Sequence, residues 1–95
     1  MLKNNNRKYD NVPNITFEYI LELIEKQENK CRFTGVELIW KVKSGFCMAT
    51  IDRIDSNKTY TKNNIQLICD WANKAKRDNT DEDFIKFCKL VAENN

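Results

Sequence analysis

The sequence predicts a small α+β domain, and three observations carry that expectation. Apolar residues recur with helical spacing near both ends of the chain. Between those ends lie short apolar runs of strand length, separated by polar turns. The 95 residues suffice for one thin core and no second one. A composition of 41% hydrophobic and 32% charged residues fits a folded chain better than a disordered one. No apolar run approaches the ~18 residues of a membrane span, so no membrane partner is expected. No apolar stretch follows the basic start MLKNNNRKYD, so the chain reads as intracellular, in a cytoplasm or a host nucleus.

Residues 1–14 are polar and asparagine-rich and hold the single proline, Pro13. They predict a flexible arm, with one domain over residues 15–95. A helix follows: Thr16 can cap it, and Phe17, Ile20, Leu21 and Ile24 form one apolar face. Glu18 and Glu22 lie early and Lys26 and Lys30 late, which suits the helix dipole, and the helix is expected to end near Asn29. Gly35 marks a turn. Residues 36–40 (VELIW), 46–51 and 65–68 (IQLI) are strand candidates, with no periodic pattern across 55–64. From Cys69 to Arg77 the chain reads as a helix with Ala72 and Ala75 inward. Thr80, with Asp83 three residues on, resembles a capping box. It opens a C-terminal packing helix whose stripe is Phe84, Phe87, Cys88 and Val91.

The net charge is only +2, but it is unevenly placed. Residues 53–77 hold six bases against two acids, whereas residues 79–95 hold four acids against two bases. A basic block in a nearly neutral chain suits a polyanion, and equally a solvated face. Cys31, Cys47, Cys69 and Cys88 form no CxxC pair, so reduced, buried thiols are the expected state.

Within the basic block, a strand, loop, strand and helix can bring Asp52, at the end of one strand, opposite Asn73 on the helix. A carboxylate and an amide oxygen are donors for Mg²⁺ or Mn²⁺, which commonly keep several waters besides two protein ligands. The order of residues over 49–77 resembles the HNH, or ββα-metal, nuclease family. In that family an Asp-His-Ile step ends the first strand, an Asn-Leu or Asn-Ile pair opens the second, and a Cys-x-x-Cys-Asn-x-x-Lys run lies on the helix. Here those places hold Asp52-Arg53-Ile54, Asn64-Ile65 and the run from Cys69 through Asn73 to Lys76. The phrase DRIDSNKTYTKNNIQL is similar to a subgroup, common in phage and mobile-element proteins, that carries DRIDSxKGYxxxNIQ. The resemblance implies a small ββα-metal (HNH-like) domain with its core near residues 46–77, flanked by an N-terminal and a C-terminal helix.

It also implies roles. Asp52 and Asn73 would be the metal ligands, Asn64 the residue that holds the loop, and Arg53 the occupant of the general-base position. Arg53, Lys58, Lys62, Lys74, Lys76 and Arg77 would contact DNA. Two departures bear on this. The chain contains no histidine, and a guanidinium has no acceptor with which to take a proton. A missing base costs roughly 10²–10⁴-fold in rate. Asp55 is an alternative base. Both CxxC pairs are also broken, to Cys31-Arg32-Phe33-Thr34 and Cys69-Asp70-Trp71-Ala72. No structural zinc is therefore expected, and Phe33 and Trp71 should pack hydrophobically in its place. Trp40 and Trp71 read as core rather than as base-stacking platforms. The rival readings are an inactive nucleic-acid-binding module and a viral or phage protein-interaction factor. A domain of this size has no separate targeting module, which suits a homodimer or a larger assembly.

Overall fold

The computed structural model describes residues 15–95; the arm expected over residues 1–14 lies outside them. Among these residues the architecture is α+β: three α-helices, a short 3-10 turn at Lys62–Asn64 and one two-stranded antiparallel sheet.

Helix α1 runs Phe17–Lys26. Thr16 is extended, and its hydroxyl accepts from the Tyr19 amide at 3.0 Å, a cap worth about 1 kcal/mol. Ile20 and Leu23 turn into the core. The helix stops short of Asn29 because Glu28 and Asn29 take left-handed conformations, with φ of 57° and 56°, and reverse the chain. The Gln27 side chain then ties α1 to the sheet. It accepts from the Leu67 amide and donates to the Leu67 carbonyl, each at 3.0 Å.

The strand expected over residues 36–40 does not form. Among the described residues this region pairs only through two isolated bridges, Lys30 with Glu37 and Ile39 with Met48. The segment is pinned between the turns at Gly35 and Gly45, both at positive φ, and only Leu38 in it is buried. The sheet consists of β1, Ala49–Arg53, and β2, Ile65–Cys69. Thus the strand expected over 46–51 begins three residues later, and Asp52 and Arg53 lie inside it. Ala49 pairs with Cys69, Asp52 with Gln66 and Arg53 with Ile65. Every residue of β2 is buried, as befits a strand covered on both faces. Leu67 and Ile68 have no exposed surface, and full burial of each is worth roughly 1.5–3 kcal/mol.

Helix α2, Asp70–Lys76, follows β2 directly with Cys69 as its N-cap. Ala72 is buried; Ala75, expected inward, is exposed because Lys76 takes the inner position four residues after Ala72. Arg77 ends the helix at φ 53°, ψ −125°. Helix α3, Asp81–Glu93, starts at Thr80, whose hydroxyl accepts from the Asp83 amide at 3.0 Å. It departs from the packing helix the sequence suggests. None of its residues is buried. Phe84 meets Phe33 edge to face with ring centroids 5.1 Å apart, but Phe87, Leu90 and Val91 stay exposed. No helix among the described residues is long and apolar enough to cross a membrane.

Candidate functional site

The register of the sheet builds the site. Asp52 on β1 lies opposite Gln66 on β2, so their side chains share one face. Gln66 Nε2 donates to Asp52 Oδ2 at 3.0 Å. That face is covered by the end of α2, where Lys76 has no exposed surface at all. Its Nζ makes three contacts: Asp52 Oδ2 at 2.6 Å, Asp81 Oδ1 at 2.7 Å and the Arg53 carbonyl at 2.8 Å. Gln66 Nε2 also donates to both oxygens of Asp81, at 3.1 and 3.2 Å. The Phe33 ring lies 5.9 Å from the ammonium. An ammonium has three donors and here all three are used. Among the described residues, no buried side-chain nitrogen or oxygen lacks a partner.

This network corrects one expectation outright. Lys76 is not part of an exposed basic face; it is the buried counter-ion of Asp52 and Asp81. Its membership was hidden because Asp81 reaches it only after the turn at residues 77–80. Gln66 was also missed, although its place opposite Asp52 follows from the strand pairing. The network holds two carboxylates against one ammonium. Every contact of Asp52 falls on Oδ2, and Oδ1 accepts from no described residue.

Asp52 also lines a cleft of about 240 Å³ with Arg53, Ser56, Tyr60, Asn73 and Arg77. The amide of Asn73 is half-buried there and makes no hydrogen bond to a described side chain or backbone group. Asp52 from β1 and Asn73 from α2 therefore line the same cleft, with Asp78 also on its wall, and each has a side-chain oxygen that no described residue engages. One anionic and one neutral oxygen, beside a network with an excess carboxylate, fit a hard divalent cation that keeps most of its waters. Among the described residues no group of three or more histidine, cysteine or acidic side chains gathers; Mg²⁺ and Mn²⁺ do not require one.

The remaining residues of the site fall into place around this cleft. Arg53 makes no ion pair among the described residues; its guanidinium lies 5.2 Å from the Tyr60 ring centroid and donates to the Lys58 carbonyl at 3.2 Å. Asn64 is buried. It accepts from the Asp55 amide at 2.8 Å and donates to the carbonyls of Asp55 and Thr59, at 3.0 and 2.9 Å. It thereby holds the loop over residues 55–64. Asp55 is turned into that loop: its carboxylate accepts from the Asn57 amide at 2.9 Å, and it does not line the cleft. Ser56 donates to the Asp78 carbonyl at 2.6 Å and ties the loop to the end of α2. Lys58 is exposed. Lys62 lies over the Tyr19 ring at 5.3 Å. Lys74 is exposed and pairs with Asp70 at 2.9 Å. Arg77 is exposed on the rim.

A second cluster sits under residues 31–34. Cys31 Sγ accepts from the amides of Phe33 and Thr34, each at 3.4 Å. Thr34 Oγ1 lies 3.9 Å from Cys69 Sγ. Burial pushes the Cys31 thiol up, but the Thr34 side chain and the surrounding backbone amides outweigh it and the net shift is downward. Burial and the neighbouring Cys31 thiol push Cys69 up. Two thiols and a hydroxyl do not make the four-ligand set of a structural zinc. Of the two aromatics expected to pack in its place, Phe33 does so against Phe84. Trp71 packs edge to face on Phe46 but stays outside the core, 62% exposed, and Trp40, expected in the core, is 38% exposed. Both lie on segments whose inner positions are taken by smaller residues, Ala72 and Leu38. Comparison with protein-family models, curated proteins and solved structures gives no match in any of the three, so the cleft is interpreted from its own geometry.

Proposed function

We propose that this chain is an HNH-like, metal-dependent endonuclease domain that hydrolyses phosphodiester bonds in DNA. The observation that carries the reading is that Asp52 and Asn73 line one cleft together with Arg53 and Arg77, while among the described residues neither Asp52 Oδ1 nor the Asn73 side-chain amide has a hydrogen-bond partner. Asp52 and Asn73 would hold Mg²⁺ or Mn²⁺. Such an ion, when bound, supplies Lewis-acid stabilisation of phosphate oxygens and a more acidic water.

The chain's own residues do the rest. Lys76 and Gln66 fix the Asp52 carboxylate by Oδ2 and leave Oδ1 for the ion. Arg53, held over Tyr60, and Arg77 bind the oxygens of the scissile phosphate and offset the charge that builds on them. Arg77 occupies a backbone region that favours glycine, a strain of the kind that persists where a side chain is needed. With an arginine where the family has its base, and Asp55 directed into its own loop, cleavage should be slow. Supercoiled-plasmid nicking in Mn²⁺ against EDTA tests the reading, with Asp52→Ala and Asn73→Ala as controls. Nicking in Mn²⁺ that both substitutions abolish supports it; no nicking, or nicking indifferent to both, overturns it.

The position of Arg53 also favours a second reading, a nucleic-acid-binding module of the same fold that does not cut. Binding that weakens steeply with salt, without nicking, distinguishes it. A chain that neither binds nor nicks would be a viral or phage protein-interaction factor.

A further inference from the structure

Trp71 and Phe46 form an apolar surface that the fold leaves uncovered. Trp71, in the first turn of α2, is 62% exposed; Phe46, in the loop before β1, is 41% exposed. Their rings meet edge to face, with centroids 4.9 Å apart and planes at 85°. The contact steadies both rings and leaves most of the indole open to solvent. The loop that carries Phe46 is basic: residues 38–48 contain Lys41 and Lys43 and no acid. Both lysines are exposed, and neither takes part in an ion pair among the described residues. Lys74 lies about one turn along α2 from Trp71. Asn73, two positions from Trp71, is roughly 200° around the helix. The aromatic pair and the cleft thus occupy opposite flanks of α2.

We propose that this surface binds single-stranded DNA, with an unpaired base stacked on Trp71 and Lys41 and Lys43 on the flanking phosphates. A flat, exposed ring, in contact with a loop whose two lysines make no ion pair among the described residues, suits a polyanion whose bases are open. In a duplex those faces are already stacked on one another. The charge argues against a second copy as occupant, since a two-fold contact here would bring the Lys41 and Lys43 pairs together. This surface does not rest on the chemistry of the cleft: a chain that never cleaves would still bind.

Fluorescence anisotropy in EDTA tests it, using labelled oligothymidylate, oligouridylate and a duplex of the same length. Wild type is expected to bind oligothymidylate at least tenfold tighter than the duplex. Trp71→Ala, an exposed change that leaves the fold intact by circular dichroism, weakens binding roughly 5- to 100-fold. Replacing both Lys41 and Lys43 with alanine lowers the salt slope by about 1.4. Tryptophan fluorescence is quenched on binding in wild type and in Trp40→Phe, and the quench is lost in Trp71→Ala. The proposal is overturned by equal affinity for duplex, by tighter binding of oligouridylate, or by no binding of any oligonucleotide. An unaffected Trp71→Ala, or self-association that Trp71→Ala abolishes, overturns it as well. Mn²⁺-dependent nicking by wild type and Trp71→Ala, run in parallel, reports on the cleft alone.

Discussion

Lys76 and Arg77 are adjacent cations with opposite surroundings, and the contrast separates the floor of the cleft from its rim. Lys76 is fully buried, with two carboxylates and a carbonyl around its ammonium. Arg77 stands exposed on the rim, in a backbone conformation that glycine would adopt at lower cost. In the floor every donor of the ammonium is used. The rim is open and strained. Charge in the floor serves position, whereas charge on the rim is available to a ligand. A count of basic residues treats the two alike, which is why residues 74–77 look like a uniform phosphate-binding face until the fold is known.

The largest expected effect lies in the floor. Lys76→Met removes the ammonium and leaves Asp52 and Asp81 facing each other with only Gln66 between them. Loss of one partner of a buried ion pair costs about 3–5 kcal/mol, a large fraction of the stability of a small domain. Urea denaturation should show the midpoint falling sharply or the cooperative transition disappearing. A loss under 1 kcal/mol would mean that the ammonium is not the counter-ion of both carboxylates, and the contrast with Arg77 would fail. Asn73→Ala sharpens the same comparison from the other side. The amide is half-buried and makes no hydrogen bond to a described residue, so stability should hold within about 0.5 kcal/mol. Mn²⁺-dependent nicking should still fall at least tenfold, since even supporting residues around a metal cost roughly 10–100-fold when removed. Equal damage to stability and nicking would make Asn73 a structural residue.

The parts of the molecule that were legible in the sequence are those governed by local chemistry. Thr16 and Thr80 announce their helices because a hydroxyl before an apolar period has one favourable use there. The run IQLI reads as a strand because it is short, branched and bounded by asparagine and an N-cap. Asn64 is identifiable because an asparagine at the mouth of a loop can bond to backbone in both directions. What stayed hidden depends on contacts far apart in the chain. Asp81 looks like an ordinary first-turn acid, and nothing local shows that the turn before it carries its carboxylate to Lys76. The inner or outer fate of Trp71 was likewise decided elsewhere. On a seven-residue helix with Ala72 and Lys76 inward, the indole has no place left in the core. The apolar stripe of α3 misled for a related reason, since periodicity shows that a face could be buried but not that the body has a surface to receive it.

The smallest expected effect is also the most discriminating. Arg77→Gly should raise stability, because glycine populates φ near 53° without a Cβ clash, and relief of such strain is worth about 0.5–1 kcal/mol. The same substitution removes a guanidinium from the rim, so DNA affinity should fall and the salt slope should drop by about 1. The two readouts then move in opposite directions, as they do where a strained residue is kept for its side chain. If stability falls on substitution, the guanidinium contributes to the fold and rim and floor are one structure. If stability rises while affinity and salt slope stay constant, the strain at Arg77 serves nothing in the cleft, and the phosphate contact must be assigned to Arg53 alone.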